Sequence, residues 1–172
     1  MAFQVNHNIT FILVINGYLF VMTNATPTLL ETVCSKTTDI EFCLNVFGSD
    51  PATRTASLRG LAQIAIDKAT EKAMKTRTDV EKRSFFVPDP KLKYVLIQCV
   101  HEYDGALTAL RIAPVDLREA RYADLYRHAS DAARGAVACE RGFIDKSLPS
   151  PLTRANLQLG DYCNIIEVVA FS

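Results

Sequence analysis

The strongest constraint on the fold of this chain is the stretch from Asp89 to Phe143, where apolar residues recur in alternating steps of four and three. A first row runs Leu92, Leu96, Cys99, Tyr103, Ala106, Leu110, Ala113, Leu117. A second runs Tyr122, Leu125, Ala129, Ala132, Ala136, Cys139, Phe143. Steps of this kind fall on one side of an α-helix, where about 3.6 residues complete a turn. A strand, with its period of two, puts neither row on one face. The stretch predicts two helices facing each other along an apolar seam.

Each row carries one cysteine, and the pair locates the turn. If Cys99 and Cys139 are bonded, their Cα atoms lie about 4.4–6.8 Å apart. In an antiparallel pair both are then equally distant from the turn. The midpoint is Glu119, inside the polar gap Arg118-Glu119-Ala120-Arg121. Pro114 is a more obvious breaker, but a turn there leaves the cysteines 15 and 25 residues away. At ~1.5 Å rise per residue that is a mismatch of about 15 Å. Pro114 is therefore read as a kink inside a helix that continues to about Arg118. The alternative is a helix that stops at Ala113, followed by a loop.

Residues 1–25 stand apart: they contain no Lys, Arg, Asp or Glu, and Ile9 to Met22 is almost wholly apolar. The segment ends in Thr23-Asn24-Ala25, small or short side chains of the kind a signal peptidase accepts. It reads as a secretory signal cleaved after Ala25, its apolar core being short for a membrane span. Cleavage removes or splits both sequons, Asn8-Ile9-Thr10 and Asn24-Ala25-Thr26, so no N-glycan is expected on the mature chain. An exported chain makes its five cysteines a disulfide question. Cys34 and Cys43 form a close pair, Cys99 and Cys139 a distant one, and Cys163 is left over.

The remaining 26–172 is a single domain's length. Thr28 to about Phe47 holds two short apolar runs around Thr37-Thr38-Asp39, a helical hairpin that a Cys34–Cys43 staple would hold together. A four-helix bundle is expected over 50–172. Its punctuation is Asp50-Pro51, Asp89-Pro90 and Ser150-Pro151, each a capping side chain followed by a proline with no N–H to lose. The first bundle helix carries Leu58, Leu61, Ala62, Ala65, Ile66, Ala69 and Ala73 and turns polar from Lys75 to Arg83. Ser84 to Val87 is read as a connector whose Phe85 and Phe86 cap one end of the core. The last helix carries Leu152, Ala155, Leu159, Tyr162, Ile166 and Val169, with Gly160 a local weakness. The fold class is all-α: an up-down-up-down four-helix bundle with an N-terminal helical hairpin.

Lys and Arg together number 19, as do Asp and Glu, so the formal charge is zero and no nucleic-acid partner is expected. No membrane partner is expected after signal cleavage. Catalytic chemistry is not visible. His101 and His128 are the histidines after the signal, and neither sits in a metal-ligand spacing. No phosphate-cradling glycine loop is present, and Cys163 has no histidine on its helix, so it reads as a buried thiol. No cofactor, metal or catalytic residue is expected.

The ordered set of Cys34 and Cys43, "GSDP" at Gly48–Pro51, "QCVHEYDGAL" around Cys99, "ACERGF" around Cys139 and "SPLT" at Ser150–Thr153 resembles the plant invertase and pectin methylesterase inhibitor family. The wording is nearest the branch that includes pollen invertase inhibitors. The resemblance implies bonds Cys34–Cys43 and Cys99–Cys139, a free Cys163, and a secreted inhibitor in the plant cell wall (apoplast). Its partner would be a carbohydrate-active cell-wall enzyme, a pectin methylesterase or an acid invertase. Invertase-directed members carry Pro-Lys-Phe before the third bundle helix; counted back from Cys139, this chain has Tyr122-Ala123-Asp124 there.

That difference turns the expectation toward a pectin methylesterase, with an acid invertase (β-fructofuranosidase) as the alternative. A non-inhibitory secreted helical binding protein is a third reading, which a pocket lined by Phe85, Phe86, Tyr94 and Tyr103 would favour. For an inhibitor, the exposed side of the second and third bundle helices is the expected docking face. Tyr122, Ala123, Asp124, Arg127 and Asp131 are its candidate target-binding residues. Tyr122 and Arg127 are the expected anchors, since aromatic and arginine side chains dominate interface energetics.

Overall fold

Leucine- and alanine-rich rows become the inner faces of four long helices in the computed structural model, which describes residues 10–15, 18–23 and 28–172. Strands β1 (Thr10–Ile15) and β2 (Tyr18–Thr23) pair antiparallel within the segment read as a signal, Thr10 opposite Thr23 and Ile15 opposite Tyr18. The expected cleavage point at Ala25 lies outside the described residues. From Thr28 onward the chain is helical: α1 (Leu29–Cys34), α2 (Ile40–Gly48), a 3-10 turn (Pro51–Thr55), α3 (Leu58–Phe86), α4 (Pro90–Arg118), α5 (Tyr122–Asp145) and α6 (Thr153–Ala170).

Helices α1 and α2 form the hairpin. Thr28 and Glu31 cap α1 reciprocally, and the Asp39 side chain accepts the Phe42 N–H at the start of α2. Cys34 and Cys43 are joined, with Cα atoms 5.4 Å apart. The hairpin lies on α6, where the rings of Phe42 and Tyr162 meet edge-on at 4.9 Å. There Asn164 Oδ1 accepts the Thr38 N–H and hydroxyl at 2.9 and 3.1 Å.

Helices α3 to α6 close a ring in which each packs against two neighbours, α3 against α6 included. Alternating direction and short connections give the up-down-up-down bundle. Small residues let α4 and α5 approach closely: a Cβ on Gly135 would lie 2.7 Å from the Glu102 carbonyl oxygen. Cys99 and Cys139 are joined across this seam, Cα atoms 4.6 Å apart.

Helix α4 continues through Pro114 to Arg118, and α5 starts at Tyr122. Equal spacing from the cysteines was the right guide, and proline alone a poor one. The turn between them is a Schellman motif: Ala120 N–H donates to Leu117 O (3.3 Å) and Arg121 N–H to Asp116 O (2.9 Å). Ala120 adopts φ 55°, a left-handed conformation that glycine tolerates best.

Three expectations need correction. Asp50-Pro51 starts the 3-10 turn and not α3, because the Thr53 hydroxyl donates to the Phe47 and Asp50 carbonyls, both at 2.7 Å, and ties the turn back to α2; Ser57 caps α3. Ser150-Pro151 likewise precedes α6, which begins at Thr153 without a side-chain cap. The supposed connector Ser84–Val87 is the last turn of α3 as far as Phe86. The apolar face passes into Thr76, Val80 and Ser84, all buried, so polar composition hid the continuation. Phe85 and Phe86 are 71% and 85% exposed and cap no core.

Candidate functional site

At the α4–α5 turn a buried carboxylate gathers an arginine and a histidine. Asp116, on the last turn of α4, is 1% exposed. Its Oδ1 accepts Arg121 Nη2 and Nε at 2.7 and 3.1 Å, and its Oδ2 lies 2.6 Å from His128 Nδ1. Burial pushes the Asp116 carboxyl up, but the bonds from Arg121 and His128, with their charges, outweigh it and hold the group below the usual carboxylate range. An ionised carboxylate only accepts, so His128 Nδ1 carries the hydrogen. His128 is therefore a clamp residue; His101 is exposed. No spacing rule singles out Asp116, and its burial on the seam side of a charged helix end is visible only in three dimensions.

The expected target-binding residues surround this clamp. Tyr122-Ala123-Asp124 form the first turn of α5, while Glu119-Ala120-Arg121 make the loop itself. At about 100° per residue, Ala123, Asp124, Arg127 and Asp131 share a sector roughly a third of the circumference wide. Tyr122 does not join them. It falls on the other side of α5, in line with Tyr126, whose ring meets Phe171 at 4.8 Å. Tyr122 is also 41% exposed, so the second seam begins at Leu125. Within the sector Asp124 holds Arg127 at 3.0 Å and reaches Arg121 at 3.6 Å, and Asp131 pairs with Arg134.

A second polar cluster lies inside the bundle. The Tyr103 hydroxyl donates to Asn156 Oδ1 (2.8 Å), and Asn156 Nδ2 donates to Glu140 Oε2 (2.6 Å). Glu140 also accepts the Ser150 hydroxyl (2.8 Å) and the Thr153 hydroxyl (2.5 Å). Burial pushes Glu140 up, yet the bonds from Thr153, Ser150 and Asn156 leave it below its ordinary value. With Tyr103 used this way in the core and Phe85, Phe86 and Tyr94 exposed, the four aromatics line no common pocket. Among the described residues no group of three or more His, Cys, Asp or Glu is placed to hold a metal. Cys163 is buried, and burial pushes its thiol up, away from reactivity.

Residues 28–166 match the family described as Plant invertase/pectin methylesterase inhibitor. The chain belongs to that family.

It is similar to a Pectinesterase inhibitor of Actinidia deliciosa, 34% identical over 83% of this chain and 77% of the relative. It is also similar to Cell wall / vacuolar inhibitor of fructosidase 2 of Arabidopsis thaliana, 28% identical over 83% of this chain and 81% of that one. The crystal structure of mutant form A of a pectin methylesterase inhibitor from Arabidopsis superposes with TM-score 0.74 at 25% identity, covering 84% of this chain and 97% of that one. Membership places the chain among inhibitors and not enzymes.

The family's wording in this chain is largely structural. Tyr103 stands in "QCVHEYDGAL", Glu140 in "ACERGF", and Ser150 and Thr153 in "SPLT". The structure joins these three distant motifs into one hydrogen-bonded chain that runs from the buried Tyr103 and Asn156 out to the exposed Thr153. They tie α4, α5 and α6 together.

Proposed function

We propose that the protein is a secreted inhibitor of a cell-wall pectin methylesterase that docks through the exposed sector of α5 and the adjoining side of α4. The observation that carries this reading is the Asp116 clamp. It fixes the turn and the first helical turn of α5 in one conformation, so little conformational entropy is lost on docking. The sector offers a small residue, Ala123, among charged side chains, a surface that suits close approach of a polar partner. Export rests on residues 1–25 acting as a cleaved signal; among the described residues no helix is long and apolar enough to cross a membrane.

Kinship with an inhibitor of fructosidase keeps an acid invertase as the second reading. Tyr122-Ala123-Asp124, helical and without proline or lysine, speaks against it. Residual activity of one plant pectin methylesterase and one cell-wall invertase, each titrated with the purified protein, tests the choice. Stoichiometric loss of the esterase activity alone is expected. Loss of the invertase activity alone overturns the assignment.

A further inference from the structure

The bundle end opposite the α4–α5 turn, about 40 Å away along α4, carries a feature that inhibition does not use. A cleft of about 560 Å³ opens there between the end of α3, the start of α4 and the loop before α6. Phe86, Pro88, Leu92, Pro149 and Pro151 wall it, and Lys82 and Arg83 also line it. Its size falls in the range of about 300–1,000 Å³ typical of small-ligand sites. Three prolines restrict the wall backbone. The exposed Phe86 ring offers an aromatic face.

Several cations at this end have no ion-pair partner among the described residues. Lys91 and Lys93 flank Leu92, and Lys146 Nζ sits 5.6 Å over the ring of Tyr94, two residues further on. Among the described residues, Lys82, Arg83, Lys91, Lys93 and Lys146 make no salt bridge. At the other end Arg121 and Arg127 are paired, while Arg118 makes no salt bridge among the described residues. Of the nearby carboxylates, Asp89 is engaged with the Lys91 and Leu92 N–H groups as the α4 cap and Glu81 is held by Arg77, while Asp145 stands beside Lys146.

We propose that this cleft binds an acidic oligosaccharide of uronate units, the de-esterified stretches of pectin. Each such unit combines a carboxylate, matching the unpaired Lys82 and Arg83, with a C–H ring face that packs on the negative face of an aromatic ring. The proposal rests on the assigned target class, because hydrolysis of a pectin methyl ester turns a neutral ester and water into a carboxylate, methanol and a proton. The inhibitor would thereby be retained where its target has already acted, through a surface remote from the docking sector.

The test is retention of the purified protein on immobilised polygalacturonate, on highly methyl-esterified pectin and on anionic phospholipid vesicles. The variants are Lys82→Glu with Arg83→Glu, and Phe86→Ala. Retention on polygalacturonate alone is expected, abolished near 1 M salt, where the screening length is about 3 Å. The charge-reversed pair should bind at least about tenfold more weakly, and Phe86→Ala several-fold more weakly. Inhibition of the esterase assayed on a small soluble ester should be unchanged by either variant. Equal retention on esterified pectin, preference for vesicles, or wild-type binding by both variants overturns the proposal. Polymer binding without any esterase inhibition overturns the assigned target and leaves the site standing; inhibition without polymer binding does the reverse.

Discussion

Tyr103 and Asn156, on α4 and α6, meet in the core, and the tyrosine hydroxyl donates to the Asn156 side-chain oxygen at 2.8 Å. Asn156 in turn donates to Glu140, so a single side chain connects three helices. In a low-dielectric interior such a network stabilises only while every member is satisfied.

Asn156→Ala therefore strands the Tyr103 hydroxyl and removes one donor from Glu140. A loss of about 2–4 kcal/mol is expected, lowering Tm by roughly 5–15 °C for a domain of this size. Tyr103→Phe leaves the buried Asn156 Oδ1 without its donor but keeps the Asn156–Glu140 bond, so it should cost less. Thermal denaturation of both variants checks the ordering; similar losses from the two would mean that packing, and not hydrogen bonding, sets the value of this site.

This network also shows what was legible in the sequence. The seams, the turn near Glu119 and the bundle class followed from period and from equal distances to the two cysteines, because packing of small apolar side chains repeats along a helix. The reach of α3 to Phe86 was not legible, since its buried face there is Thr76, Val80 and Ser84 amid charged neighbours. The clamp on Asp116 was hidden for a different reason: Asp116, Arg121 and His128 meet only because the left-handed Ala120 turns the chain back. Tyr122 fitted the seam by spacing but is exposed, on the side of α5 that it shares with Tyr126.

Acid should unfold the protein through Asp116 and Glu140. Both carboxyls lie below their ordinary values in the folded state. Their stabilisation is thus complete above the unfolded carboxylate range, about pH 4, and is lost as pH falls through the lower folded values. Denaturant midpoints should hold from neutrality to about pH 4 and drop below it, with a shallower drop in Asp116→Asn. Asp161 has the opposite sign. Burial, reinforced by the Asp39 charge, raises its carboxyl, so Asp161→Asn should raise Tm at neutral pH and lose that advantage on acidification.

Backbone geometry makes a pair of opposite expectations. Gly135→Ala places a methyl group 2.7 Å from the Glu102 carbonyl oxygen, backbone that cannot swing aside. Overpacking of this kind costs about 1–3 kcal/mol. Ala120→Gly relieves a left-handed residue at φ 55° and should stabilise by about 0.5–1 kcal/mol, the strain relieved exceeding the entropy added to the unfolded chain. Urea unfolding curves measure both; a destabilised Ala120→Gly would show that the Schellman turn is not strained.

The docking sector is separable from stability because its ion pairs are exposed. Surface pairs such as Asp124 with Arg127 and Asp131 with Arg134 contribute about 0–1 kcal/mol, so Tm should barely move when they are changed. Arg127→Ala with Asp131→Lys is expected to raise the inhibition constant for the pectin methylesterase at least about tenfold, as loss of a charged anchor at an interface does. Ala123→Trp tests the same surface by bulk, since a large ring at a small position in the first turn of the sector prevents close approach. Tyr122→Ala, on the other side of α5, should leave inhibition unchanged. If instead Tyr122→Ala weakens inhibition and the sector variants do not, the target sits over the Tyr122–Tyr126 side, and the face assigned to it here is the wrong one.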